Sequence, residues 1–158
     1  MEDLQELLTQ VKNEEELLQF ASFTNETALA LGTQLANTAA QKGKAVTVDI
    51  CRNGQQLFHY AMTGTSADND AWIQRKNRVV NRFGHSSYYV GLLLRSQEKT
   101  MENKYLLPES DYAPHGGAFP LRIKNVGVVG TITVSGLPQR EDHELIVGVL
   151  KNFLGLPD

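Results

Sequence analysis

The stretch from Val126 to Leu150, VGVVGTITVSGLPQREDHELIVGVL, leaves this chain few ways to fold. Val128, Gly130, Ile132 and Val134 alternate with Val129, Thr131, Thr133 and Ser135, the period-two pattern of a strand. A tight Ser135-Gly136 connection ends it. Pro138 has no N–H for a helix interior and is accommodated near a helix start. Glu141 and Asp142 then suit the positive end of a helix dipole. Leu145, Ile146, Val149, Leu150 and Phe153 recur at helical spacing as the buried stripe. Where a strand exit meets a helix N-terminus, backbone N–H groups, a hydroxyl and carboxylates surround one point, which makes a wall for a pocket.

The clearest turn is Asn53-Gly54, the preferred pair for a two-residue type I′ hairpin. Setting Arg52 opposite Gln55 puts Ile50 against Leu57, Val48 against His59 and Val46 against Ala61. Thr47, Asp49, Cys51, Gln56, Phe58 and Tyr60 then share the other face. Both faces mix apolar and polar groups, so helices are expected on one side and a further helix or a partner over part of the other. Helical spacing predicts turns between Glu2 and Phe20, with a short strand at Gln19 to Phe23. A long helix capped by Thr24 or Asn25 carries Ala28, Leu31, Leu35 and Ala39 on one face and ends near Lys42-Gly43. A further helix over Asp68 to Arg82 has Ser66 or Asp68 as cap, and Ser86 or Ser87 caps another over SSYYVGLLLRSQ. Lys99 to Pro114, polar and broken by Pro108 and Pro114, reads as a loop. Asn125 reads as the turn between strands Phe119 to Lys124 and Val126 to Val134.

No repeat or linker divides the 158 residues, and one domain over 1–158 is expected, long enough to hold a core without disulfides. A net charge of −3 argues against nucleic acid as the main partner, which calls for a basic excess. No apolar run approaches the ~20 residues that cross a bilayer. The acidic, amphipathic MEDLQELLTQ is unlike a signal peptide. With Cys51 as the single cysteine no internal disulfide is possible, and a cytoplasmic location is expected.

Several groups carry chemistry. His115-Gly116-Gly117 either brings backbone close to a ligand, presenting adjacent N–H groups to an anion, or shapes a strand entry. Arg75, Arg78 and Arg82 form a basic stripe. Arg75, beside the apolar Trp72 and Val79, is the better partner for a carboxylate or phosphate. His59, His85, His115 and His143 show no zinc spacing, so no structural metal is expected. Asp142-His143 is either an acid–base pair or a dipole partner beside a solvent-facing histidine. Cys51, with no basic neighbour in view, reads as a packed thiol. No nucleophile elbow, Walker loop or dinucleotide fingerprint is present, and no catalytic residue is assigned.

Taken together, DNDAWIQRKNRVVNRFGHSSYYVG, PHGGAFPLRIKNVGVVGTITVSGLPQREDHELIV and the DICRNGQQLFHYAM hairpin resemble the GlcG/HbpS-like family. Within it they are most similar to a branch of uncharacterised cytoplasmic proteins found in bacteria and fungi. The resemblance runs from about Leu17 to Phe153. It implies an α/β (α+β) fold, a profilin-like sandwich of an antiparallel sheet with flanking helices, assembled into symmetric homo-oligomers. Some relatives bind haem and are linked to its degradation or to redox sensing. The family's pocket motifs fall on Arg75, Lys76, Ser86, Gly116, Gly117, Ser135, Gly136 and Asp142. His85 and His115 are the candidate axial ligands for haem, although the secreted haem-binding relatives carry export signals and none is expected here from MEDLQELLTQ. The expected function is a cytoplasmic oligomeric protein whose pocket takes a small anionic or haem-like molecule. The alternative is an oligomeric adaptor that binds other proteins.

Overall fold

The computed structural model describes residues 3–157; Glu2, where the N-terminal helix was expected to start, lies outside them. Helix α1 (Leu4–Leu17) begins at Asp3, whose carboxylate accepts the Gln5 N–H. The expected strand at Gln19 to Phe23 reduces to one bridge between Phe20 and Ile123. Helix α2 (Asn25–Gln41) starts at a reciprocal cap between Thr24 and Thr27 and closes at Lys42, with Gly43 at φ 69°. Strands β1 (Thr47–Arg52) and β2 (Gln55–Ala61) form the hairpin, and helix α3 (Ala67–Phe83) follows from the Ser66 cap. Helix α4 (Ser87–Ser96) is capped by Ser86. A short α5 (Met101–Tyr105) occupies the segment expected to be loop, because Thr100 and Asn103 cap each other and Met101 is buried. Strands β3 (Ala118–Ile123) and β4 (Gly127–Ser135) lead into α6 (Gln139–Phe153).

The four strands form an antiparallel sheet in the order β2-β1-β4-β3, with helices on both faces, an α+β fold as the sequence predicts. Val48, Ile50, Ile132, Val134, Phe119 and Leu121 fill the apolar side beneath α2 and α6. The opposite side carries Thr47, Asp49, Cys51, Thr131, Thr133 and Ser135, and α3 lies across it. Alternation along a strand has thus sorted an apolar face from a polar one. Leu7, Leu8 and Val11 of α1 pack on Tyr88 and Leu92 of α4, so the apolar stripes of these two helices are buried within the protomer.

One expectation about the hairpin is corrected. Asn53 (φ 51°) and Gly54 (φ 82°) make the turn, and Arg52 does pair with Gln55. A bulge between Ile50 and Cys51 then shifts the ladder: Ile50 pairs with Phe58 rather than Leu57, Val48 with Tyr60 rather than His59, and Asp49 with His59. One extra residue exchanges the faces beyond it. Phe58 thereby turns into the apolar side and lies against Gly32 of α2, while His59 turns toward the polar side.

A Cβ at Gly32 would stand 2.3 Å from the Phe58 ring, an overlap that only a shift of ring or helix can relieve. Gly32→Ala should therefore destabilise the protein by about 1–3 kcal/mol in denaturant unfolding, despite alanine's better helix propensity. Unchanged or increased stability would show that this contact is not tight.

Candidate functional site

The polar side of the sheet is buried, so its side chains must find partners beneath α3. Asp49 is 1% exposed. It accepts the Gln56 side-chain amide at 2.7 Å and the Cys51 thiol at 3.2 Å, and it lies 2.9 Å from His59 Nδ1. Asn77 of α3 donates to Asp49 at 3.4 Å and accepts the Thr133 hydroxyl. His59 reaches onward to Asp70 at 3.1 Å. Burial and the neighbouring Asp49 carboxylate push the Cys51 thiol up to about 12, so it stays protonated and a poor nucleophile.

Farther along α3, where the helix crosses the end of β4, lies a second and charged contact. Lys76 is buried, and its Nζ donates to Asp142 Oδ2 at 3.3 Å and to the Val134 carbonyl at 3.4 Å. Asp142, 1% exposed, uses its other oxygen to accept the Leu137 N–H at 3.0 Å, closing the connection between strand and helix. Burial raises Asp142 to about 6, outweighing the opposing pull of Lys76 and of the Leu137 N–H. Burial likewise lowers Lys76, outweighing the pull of Asp142 in the other direction. Each partner is thus shifted toward its neutral form.

Gly117 makes this pair possible. It sits at φ 139°, and a Cβ there would lie 2.3 Å from the Val134 carbonyl oxygen and 2.8 Å from Lys76 Nζ. Gly116 is equally confined: a Cβ would come within 2.2 Å of the Gln139 carbonyl oxygen, and its N–H donates to the Gln139 side chain at 2.9 Å. Both glycines form a wall behind the pair, with the Gly116 N–H already turned to a protein partner.

The pair opens onto a cavity of about 430 Å³. Asp68, Asn69, Trp72 and Lys76 line it from α3, Ser135, Gly136 and Leu137 from the strand exit, Gln139 and Asp142 from α6, and His115 from the preceding loop. Asn69 donates to the Ser135 hydroxyl at 3.2 Å, and His115 Nε2 lies 2.8 Å from Glu109. A larger groove of about 630 Å³ between α2 and α6 is lined by amides, hydroxyls, Lys42 and the apolar Ala30, Leu145 and Val149, with no buried ionisable group. The smaller cavity therefore holds the chemistry.

Of the residues singled out from sequence, Lys76, His115, Ser135, Gly136 and Asp142 meet at this cavity, with Gly116 and Gly117 behind it. Arg75 lies outside the lining, its guanidinium 5.1 Å over the Trp72 ring. Ser86 is elsewhere: it caps α4 and bonds to the buried Glu15. His143 does not face solvent. It is 2% exposed, against Tyr88 and Phe119, with Glu14 3.7 Å away. Asn69, Trp72 and Lys76 share a helix face at spacings of three and four, a signal legible in sequence for the unassigned Asn69 and Trp72.

Burial of Asp142 and Cys51 has measurable consequences. Asp142 holds its proton more tightly folded than unfolded, so between about pH 4 and pH 6 unfolding releases a proton and stability falls as pH rises. Relative to Asp142→Asn, the native protein should lose on the order of 2–3 kcal/mol across that window, since each tenfold difference in proton affinity is worth roughly 1.4 kcal/mol. A pH-independent difference between the two melting curves would contradict the assignment. Cys51 should react with a chromogenic disulfide at pH 8 at least about ten times more slowly in the native than in the unfolded protein. Cys51→Ser should cost at most about 1 kcal/mol.

Residues 23–151 match the family described as haem degrading protein HbpS-like. A UPF0303 protein of Streptomyces coelicolor is 49% identical over 148 residues, covering 94% of each chain. The crystal structure of Ybr137w protein superposes with a TM-score of 0.87 at 36% identity, over 94% of this chain and 87% of that one. The crystal structure of HbpS shares the fold, with a TM-score of 0.66 at 20% identity over 87% and 93% of the two chains. Since the match spans most of the chain and the bacterial relative is alike along nearly its whole length, this protein belongs to the HbpS-like family.

Proposed function

We propose that this is a small-molecule-binding protein whose ligand, a compact polar anion such as a carboxylate, is held against Lys76 in the cavity at the exit of β4. The observation that carries this reading is the buried Lys76 amine, loosely held at 3.3 and 3.4 Å and lining an accessible cavity. A lysine in that setting gains from a second anionic partner. Asn69, Ser135 and Gln139 supply polar atoms around it and Trp72 a flat wall, while Arg75, over the Trp72 ring, is not among the lining residues.

Haem, which the family's description brings to mind, needs an axial donor and a broad apolar slot. This cavity offers one imidazole, already engaged by Glu109, and one aromatic wall among mostly polar groups. That donor set fits a small anion better than a porphyrin. The proposed setting is a cytoplasmic homo-oligomer. Among the described residues no helix is long and apolar enough to cross a membrane, and Leu29, Tyr60, Leu106 and Val126 leave apolar side chains exposed.

Titrations of the native protein, Lys76→Met and Arg75→Ala with pyruvate, inorganic phosphate and haemin test this, each read with melting curves. Lys76→Met should lower pyruvate affinity at least about tenfold, in keeping with a charge-assisted contact of roughly 1.5–3 kcal/mol, and Arg75→Ala should leave it nearly unchanged. Absence of binding by the native protein, or equal binding by Lys76→Met, overturns the reading in favour of an adaptor. Haemin binding abolished by altering His115 would favour haem instead.

A further inference from the structure

We propose that Lys76 forms an imine with a small 2-oxo acid, its amine attacking the ligand's carbonyl carbon while Asp142 shuttles the protons. This deepens the reading above and rests on it: the carboxylate draws the ligand to Lys76, and the adjacent carbonyl then lies one bond from the carboxylate that the amine holds.

The geometry carries the step. Lysine becomes a nucleophile when burial weakens its charge and a base stands within reach. Lys76 meets both conditions, with Asp142 Oδ2 at 3.3 Å and no other carboxylate or hydroxyl among its described hydrogen-bond partners. The remaining ionisable groups facing the cavity are Asp68 and His115. Gly117 keeps the space beside Nζ free. Burial lowers Lys76 and raises Asp142, so the proton that leaves the ammonium has a carboxylate within 3.3 Å that is a better base than an exposed one.

The chemistry balances without an oxidant or reductant. Asp142 takes a proton from the Lys76 ammonium, and the nitrogen lone pair forms the N–C bond as the carbonyl π pair moves to oxygen, which is protonated. The carbinolamine then loses that oxygen as water, carrying a second proton from nitrogen by way of Asp142, and a C=N⁺H bond remains. Ammonium and ketone have become iminium and water.

The test incubates the native protein with pyruvate and cyanoborohydride, which reduces the iminium to a stable secondary amine, and maps the product by peptide mass spectrometry. Lys76 should be modified at least about ten times faster than the exposed Lys42, Lys44, Lys99 and Lys124. Its rate should level off at lower pH than that of a free lysine analogue in the same solution, because burial lowers the Lys76 amine. Asp142→Asn, shown folded by its melting curve, should slow labelling of Lys76 about tenfold and leave the exposed lysines unchanged. Lys76→Arg should abolish the cavity adduct. Acetate, which has no reactive ketone, separates the two readings: Lys76-dependent acetate binding without a pyruvate adduct overturns the imine and leaves the pocket standing. Failure of both acetate and pyruvate to bind overturns both. Labelling spread evenly over exposed lysines, or unaffected by Asp142→Asn with the pH profile of the free lysine analogue, also overturns the imine.

Discussion

A sheet that is apolar on one side and polar on the other places a demand on whatever helix covers the polar side. Each carboxylate, hydroxyl and thiol taken out of water there must be answered, since an unpaired buried polar group costs about 1–3 kcal/mol. In this protein α3 gives the answers: Asn77 between Asp49 and Thr133, Lys76 against Asp142, Asn69 on Ser135. These contacts set where the helix lies along the sheet far more narrowly than apolar packing would, because hydrogen bonds have direction and greasy contacts do not. In the same layer the Thr47 hydroxyl has no partner among the described residues.

The site follows from that layer. Because α3 must reach the end of β4 to satisfy Ser135 and Asp142, its first two turns overhang the strand exit and enclose a cavity with the start of α6. The charged pair at its floor is held under tension of a chemical kind: burial disfavours both charges, while their proximity favours them. A pair on the surface would be pulled toward full ionisation by water and would be neither basic nor acidic in a useful range. Gly117 is the element that permits such closeness, since a side chain there would meet the amine itself.

On the other side of the sheet the physics is simpler. The apolar strands, α2 and α6 share one continuous core, and the Phe58 ring resting on Gly32 ties the edge strand to α2. Away from the sheet, α1 and α4 bury their apolar stripes on each other, and Glu15 of α1 anchors His85 and Ser86 at the start of α4. Ser86 therefore serves the joint between helices. A serine before an apolar run is the ordinary signature of a helix cap, and it is read as a pocket residue only through resemblance.

Local physics made most of the elements legible in advance. The Thr24 and Ser66 caps, the Asn53-Gly54 turn and the alternation of β4 each depend on residues within a few positions of one another, so the order of residues along the chain was enough to specify them. It was also enough to bring Ser135, Gly136 and Asp142 together, because strand and helix are joined by a connection too short to separate them. Other outcomes required the third dimension. The bulge at Ile50/Cys51 exists because Phe58 finds Gly32 and His59 finds Asp49, contacts with distant partners that hairpin rules do not contain. The choice of Lys76 over the adjacent Arg75 likewise came from packing between distant elements. One residue is a rotation of about 100° on a helix, which separates a buried amine facing Asp142 from a guanidinium laid over Trp72.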